Sequence, residues 1–265
     1  MLKKFSFVVF VFLLAISVQA SIQLVAPVEG IMEANSTVDL GKVQPGETII
    51  LRISTSSGSE ERWEQAIVKK DSLPDNWIAK DSAEGEKTIA VEISVPKNAR
   101  QELYNFSVEL SNPRARITPE KINLRVLVEE GLISSSVSSN TLTTDVGNEA
   151  SFQIILVNDS VASHRVRISS PLPESWFSAE EIELMPKETA KIELGVTPQV
   201  YGAKGFRFSV TSLENGKNLG DFEMQIRARP SLPGKFSAAN EGLPFFTFSL
   251  LPQYLINALL SLLIS

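Results

Sequence analysis

The sequence predicts an all-β chain of two tandem antiparallel β-sandwiches, preceded by a signal peptide and followed by a C-terminal hydrophobic helix. Three observations predict it. Leu73-Pro74-Asp75-Asn76-Trp77 and Leu172-Pro173-Glu174-Ser175-Trp176 stand about a hundred residues apart and are nearly the same, a period that matches one independently folding domain. Residues 21–229 are filled with short β-branched and aromatic runs between Gly, Pro, Asn and Ser turns, with no long helical period. Both ends of the chain carry uncharged apolar stretches.

At the N-terminus, Lys3 and Lys4 form a basic n-region, Phe5 to Ile16 an apolar h-region, and Val18-Gln19-Ala20 a small-residue cleavage site. Residues 1–20 therefore read as a signal peptide. The apolar run is short for a bilayer span, which disfavours an uncleaved anchor.

Residues 21–129 form the first expected sandwich. Its clearest strands are Thr48 to Thr55, Thr88 to Val95, Tyr104 to Leu110 and Ile122 to Val128, most of them alternating apolar with polar residues. Val128-Glu129-Glu130-Gly131 marks the junction. The second sandwich, residues 130–229, repeats the series as Ala150 to Val157, His164 to Ile168, Ala190 to Val196, Phe206 to Thr211 and Phe222 to Ile226. The copies align at several landmarks besides the tryptophan turn. Val91-Glu-Ile-Ser-Val-Pro96 answers Ile192-Glu-Leu-Gly-Val-Thr-Pro198, Tyr104-Asn-Phe106 answers Phe206-Arg-Phe208, and Gly46 answers Gly147. Short strands at this density are the mark of a two-sheet sandwich.

Residues 230–244 hold three prolines and two glycines and read as a spacer. The tail, residues 245–265, carries no charge. At about 1.5 Å per residue, a helix of that length would cross a hydrocarbon core of roughly 30 Å. Pro252 should either kink this helix or start it. From there Gln253, Asn257, Ser261 and Ser265 recur every fourth residue and share one stripe, which suits contact with another membrane helix or a second copy of the tail. The other readings of the tail are an interfacial segment, a helix docked on the protein, or a lipid-anchor signal with Ser237-Ala238-Ala239 as its small residues.

Composition narrows the chemistry. Net charge is -6 with no Lys/Arg cluster, which argues against nucleic acid as a partner. The absence of cysteine removes thiol nucleophiles, thiolate metal sites and disulfides. The only histidine, His164, alternates in phase with Val166 and Ile168 and reads as a structural residue at the sandwich edge rather than a triad base. There is no EF-hand-like series and no Gly-rich phosphate loop, so no cofactor and no metal are expected. Glu60-Glu61, Glu129-Glu130 and Glu180-Glu181 are adjacent pairs whose members point to opposite faces if extended, and nothing suggests a facing carboxylate pair.

The residues also resemble a known family. Pro45-Gly46-Glu47, then Leu73 to Trp77, then a strand ending in Val95-Pro96, then Tyr104-x-Phe106 is similar to the NEW3 domain, an immunoglobulin-like β-sandwich associated with α-galactosidases and common in archaeal surface proteins. Both repeats resemble it. In the second, Val146-Gly147-Asn148 stands in place of Pro-Gly-Glu, and Val196-Thr197-Pro198 has one extra residue. The resemblance implies an accessory module for display, adhesion or carbohydrate association, and it implies no catalytic residues.

Candidate binding residues follow from where the copies differ. Trp77 and Trp176 are repeat-equivalent and expected to cover the core. Trp63 has no counterpart, because Ala162 occupies the aligned position, so it is the candidate for stacking on a sugar ring or partner. Asn35, Asn105 and Asn158 head N-x-S/T sequons and are candidate glycosylation sites. Together these features predict a non-catalytic exported protein on the outer face of the cell membrane, anchored by its tail. It would present two immunoglobulin-like domains to glycans, envelope proteins or a membrane partner. The alternative is a carbohydrate-binding accessory module acting beside a separate glycoside hydrolase.

Overall fold

A computed structural model describes residues 21–57, 62–83, 87–114, 118–230 and 251–263. The proposed signal peptide, nearly all of the spacer, Ser265 and the start of the tail lie outside them. The described residues are all-β apart from one short helix, and the chain divides into two compact units. One comprises residues up to Glu130 with Ser160–Ala162, the other the remainder.

In the first unit the strands are β1 (Ile22–Ala26), β2 (Gly30–Met32), β3 (Thr37–Val43), β4 (Thr48–Ser54), β5 (Gln65–Val68), β6 (Ile78–Ala83), β7 (Thr88–Ser94), β8 (Leu103–Ser111) and β9 (Glu120–Val128). They form a five-stranded sheet in the order β2-β1-β4-β7-β6 and a four-stranded sheet in the order β3-β9-β8-β5. Alternation places Ile49, Leu51 and Ile53 of β4 and Ile89, Val91 and Ile93 of β7 in the core, where they meet Phe106, Val108 and Leu110 of β8 and Ile122, Leu124 and Val126 of β9. Burial of this apolar surface, at about 25 cal/mol per Å², is the main force holding the sheets together.

The second unit holds β10 (Ile133–Val137), β11 (Thr141–Asp145), β12 (Ala150–Asn158), β13 (His164–Ser169), β14 (Glu180–Leu184), β15 (Thr189–Val196), β16 (Gly202–Ser212) and β17 (Asn218–Arg229). Its sheets run β10-β12-β15 and β11-β17-β16-β13-β14. Phe208 is the aromatic centre of this core, with ring centroids 4.7 Å from Phe152, 4.8 Å from Phe177 and 5.0 Å from Phe206.

Two details depart from the expected pattern. Not all pairing is antiparallel, because β3 runs parallel to β9 and β11 parallel to β17. Each of these strands lies along the last long strand of its unit, which the chain reaches only after several crossings between sheets. The strand after the Leu-Pro-x-x-Trp turn also changes sides between copies. In the first unit β6 pairs with β7, and Lys80 lies opposite Glu92. In the second, β14 pairs with β13, setting Glu183 opposite Arg165 and Glu181 opposite Arg167. Cross-strand charge matching suits each choice.

The described part of the tail is the helix α1 (Leu251–Leu263), with Pro252 in its first turn, where a missing N–H costs nothing. Among the described residues no helix is long and apolar enough to cross a membrane.

Candidate functional site

The turn Leu73 to Trp77 has a cleft on each flank. Ser72 Oγ donates to the Lys69 carbonyl at 2.8 Å and lies 3.0 Å from Ser107 Oγ, while the Ser107 backbone N–H donates to Ser72 Oγ, so the turn is stapled to β8. The Trp77 N–H closes the turn onto the Pro74 carbonyl at 3.1 Å. Asn76 takes φ 66°, a left-handed conformation that asparagine tolerates better than most residues. This geometry drives the Trp77 indole inward, 6 % exposed, with its ring 5.0 Å from Tyr104 and 6.0 Å from Phe106.

Against this turn lies the segment from Pro96 to Glu102, which connects β7 to β8. Between the two is a cleft of about 420 Å³ with Trp77 and Tyr104 at its base and Asp75, Asn76, Asn98, Arg100 and Glu102 around it. A second cleft of about 480 Å³ on the other flank of the turn is lined by Lys70, Asp75, Ile78 and Asp81 among others. Burial pushes the Tyr104 phenol above its usual value, and its hydrogen bond to the Glu102 carboxylate adds to that. The phenol is therefore held protonated as a donor toward Glu102. The lining is predominantly polar, with amides, carboxylates and one guanidinium above the edges of two rings. Such a rim offers both hydrogen-bond donors and acceptors.

The second copy lacks this arrangement. Trp176 is only partly buried, and it is Phe177, 6 % exposed, that makes the ring contact with Phe208. Phe206 replaces Tyr104, so the phenol is also absent. Sequence equivalence of the tryptophans thus hides a one-residue shift in which aromatic enters the core.

The other sequence-predicted residues fall outside the cleft. Trp63 corrects the stacking expectation. It is 1 % exposed within the first core, its backbone N–H donates to the Thr55 carbonyl at 2.8 Å, and no ring face is open to a ligand. It precedes β5, so the alternation read through Gln65 and Ile67 does not extend back to it. Its indole Nε1 is buried without a hydrogen-bond partner among the described residues.

Asn158 is a second correction. It is 1 % exposed, and its amide donates to the Met185 carbonyl at 2.8 Å and the Leu184 carbonyl at 3.4 Å, so the nitrogen a glycan needs is engaged in the fold. Asn35 and Asn105 are exposed, the first at a left-handed turn with φ 63° and the second on β8. His164 is fully buried, with Nε2 3.7 Å from Glu214 Oε2, and Glu214 also accepts from the Arg165 N–H and Nε at 3.2 Å. In the tail Asn257 is exposed, and Ser261 Oγ donates to the Ala258 carbonyl at 3.0 Å within its own helix. The side chain of Gln253 lies outside the described residues. No cluster of three or more metal-ligating side chains occurs among the described residues.

No protein-family model matches the sequence, and no curated protein is similar to it. Among solved structures it is similar to a chimeric titin Z1Z2 functionalised with a KLER exogenous peptide from decorin, at 10% identity over 80% of this chain and 98% of that one, with a TM-score of 0.40. It is also similar to the Yersinia pseudotuberculosis adhesin InvE, at 11% identity over 70% of this chain and 56% of that one, with a TM-score of 0.30. A glycoside hydrolase family 107 endo-fucoidan hydrolase is 14% identical over 75% of this chain and 28% of that one, with a TM-score of 0.32. These likenesses accompany an all-β, immunoglobulin-like fold and carry nothing about ligand or activity.

Proposed function

We propose that the chain is a non-catalytic, exported surface protein in which two tandem immunoglobulin-like sandwiches of NEW3 type serve as binding modules, held at the membrane by the C-terminal tail. The observation that carries the binding role is the cleft beside Trp77. It has an aromatic base and a mixed polar rim, and it occurs in the first copy, where the second has lost both the phenol and the inward tryptophan. A shared scaffold does not need such a difference, whereas a ligand site does.

The ligand class is a saccharide. Its several hydroxyls match the amide, carboxylate and guanidinium groups of the rim, which supply both acceptors and donors. The same chemistry suits the second reading, an accessory module acting beside a separate glycoside hydrolase, and the two differ in what they work with rather than in the site.

A glycan array probed with the full chain tests the proposal. Binding of a defined saccharide class is expected, without turnover. Hydrolysis of a bound glycoside by the purified chain would overturn the non-catalytic reading. Membrane fractionation tests the anchor: the full chain should partition into membranes and a chain ending at Arg229 should not.

A further inference from the structure

The strand β15 lacks a neighbour that its counterpart β7 possesses. In the first unit β7 lies between β4 and β6, and Glu92 of β7 is ion-paired at 2.7 Å with Lys80 of β6. In the second unit the strand after the tryptophan turn has joined β13 instead, so β15 ends its sheet. Among the described residues nothing pairs with the outer edge of β15 between Thr189 and Gly195. The turn reaches it only beyond its end, where the Thr197 N–H donates to the Trp176 carbonyl.

An open edge of this length exposes a row of unpaired backbone donors and acceptors, and proteins commonly protect such edges with charged side chains, above all lysine, with proline, with a bulge or with an inward-pointing charge. The β15 sequence Thr189-Ala-Lys-Ile-Glu-Leu-Gly-Val196 has no proline, no bulge and no inward-pointing charge, and its one guard is the outward pair Lys191 and Glu193, whose opposite signs can be matched by a partner strand. Its register with β12 is unbroken, its inward residues are Ala190, Ile192, Leu194 and Val196, and both of its charges point outward. Glu193 corresponds to Glu92 in the first copy, yet neither Glu193 nor Lys191 has an ion-pair partner among the described residues.

We propose that the occupant of this edge is β15 of a second copy, paired antiparallel about a two-fold axis at Ile192. In that register Lys191 of each chain lies opposite Glu193 of the other, twice over, supplying the lysine that β6 supplies to Glu92. Ile192 meets its own copy, Ala190 meets Leu194, and Thr189 meets Gly195. The shared ladder adds about seven backbone hydrogen bonds and joins two three-stranded sheets into one. The geometry is isologous, so the pairing closes as a dimer and does not propagate.

Sedimentation of the full chain in mild detergent at micromolar concentration tests this. The chain should be a dimer. Glu193→Lys and Lys191→Glu should each weaken dimerisation at least about tenfold, because both turn the two attractive pairs into repulsive ones. The double variant K191E/E193K should dimerise again, and a mixture of the two single variants should form heterodimers. Far-UV circular dichroism of these exposed-residue variants should match the parent chain.

Because the protein has no cysteine, Ile192→Cys offers a check on register. Directly opposed residues sit at about 4.5–5.5 Å between Cα atoms, within disulfide reach, so I192C should oxidise to a covalent dimer while T189C should not. A monomeric parent chain, or a dimer that neither charge reversal weakens, would overturn the proposal.

Discussion

The indole of Trp77 and the phenol of Tyr104 lie 5.0 Å apart at 48°, and this pair forms the base of the cleft that distinguishes the first copy from the second. Tyr104 comes from β8 and Trp77 from the turn stapled to that strand by Ser72 and Ser107. Cleft lining and core are thus built from the same two rings.

Trp77 and Trp176 should therefore respond differently to truncation. Trp77→Ala removes a buried ring from two aromatic contacts and should cost about 3–5 kcal/mol in denaturant unfolding. Trp176→Ala should cost clearly less, with Phe177→Ala taking the larger penalty in that copy. Equal losses for the two tryptophans would contradict the one-residue shift.

Trp63 should behave as a core residue with a polar liability. Trp63→Ala should cost about 3–5 kcal/mol, while Trp63→Phe, which removes the unpartnered indole N–H along with some volume, should cost less than about 1.5 kcal/mol. Saccharide binding by Trp63→Phe should equal that of the parent. A selective loss of binding would restore the stacking role.

Glycosylation in a competent host should separate the sequons. Glycopeptide mass spectrometry should find Asn35 and Asn105 modified and Asn158 bare. Asn158→Ala should cost about 1–3 kcal/mol, since the carbonyls of Leu184 and Met185 lose their donor within the fold. Modification of Asn158 in folded protein would contradict its buried placement.

Acid stability should depend in part on Asp39. The Arg125 guanidinium, bonded at 2.8 Å, and the Gly41 N–H hold its carboxyl below the usual value. A depressed carboxylate contributes stability above its unfolded value and loses it as pH falls through the folded one. Asp39→Asn should therefore flatten the acid limb of stability against pH. Both partners are exposed, so the effect should be a few tenths of a kcal/mol. An unchanged acid limb would remove this pair from the account.

Much of the scaffold is legible in the sequence, and the reasons are local. β4, β7, β8, β9 and β12 alternate long enough to bury several side chains each, and Gly46 and Gly147, at φ 90° and 84°, mark equivalent turns. β10 and β11, reading ISSSV and TLTTD, give almost no periodic signal because each is an edge strand. The switch of the strand after the tryptophan turn is also hidden, since the same turn precedes both outcomes. Its only trace is charge order, with Glu181 and Glu183 suited to Arg167 and Arg165, and Lys80 suited to Glu92. The cleft leaves no trace in the sequence because its base is two residues that read as core, and its rim comes from a connecting segment without pattern.

Titration of the full chain with the saccharide found on the array, for the parent and for Asn98→Ala and Arg100→Ala, tests the central claim most directly. Both substitutions fall on exposed rim residues and should leave folding unchanged. Loss of a single rim hydrogen bond should weaken binding about tenfold, and the double variant more. Binding that survives both substitutions unchanged, or no saccharide binding by the parent chain, would contradict the assignment of the cleft beside Trp77.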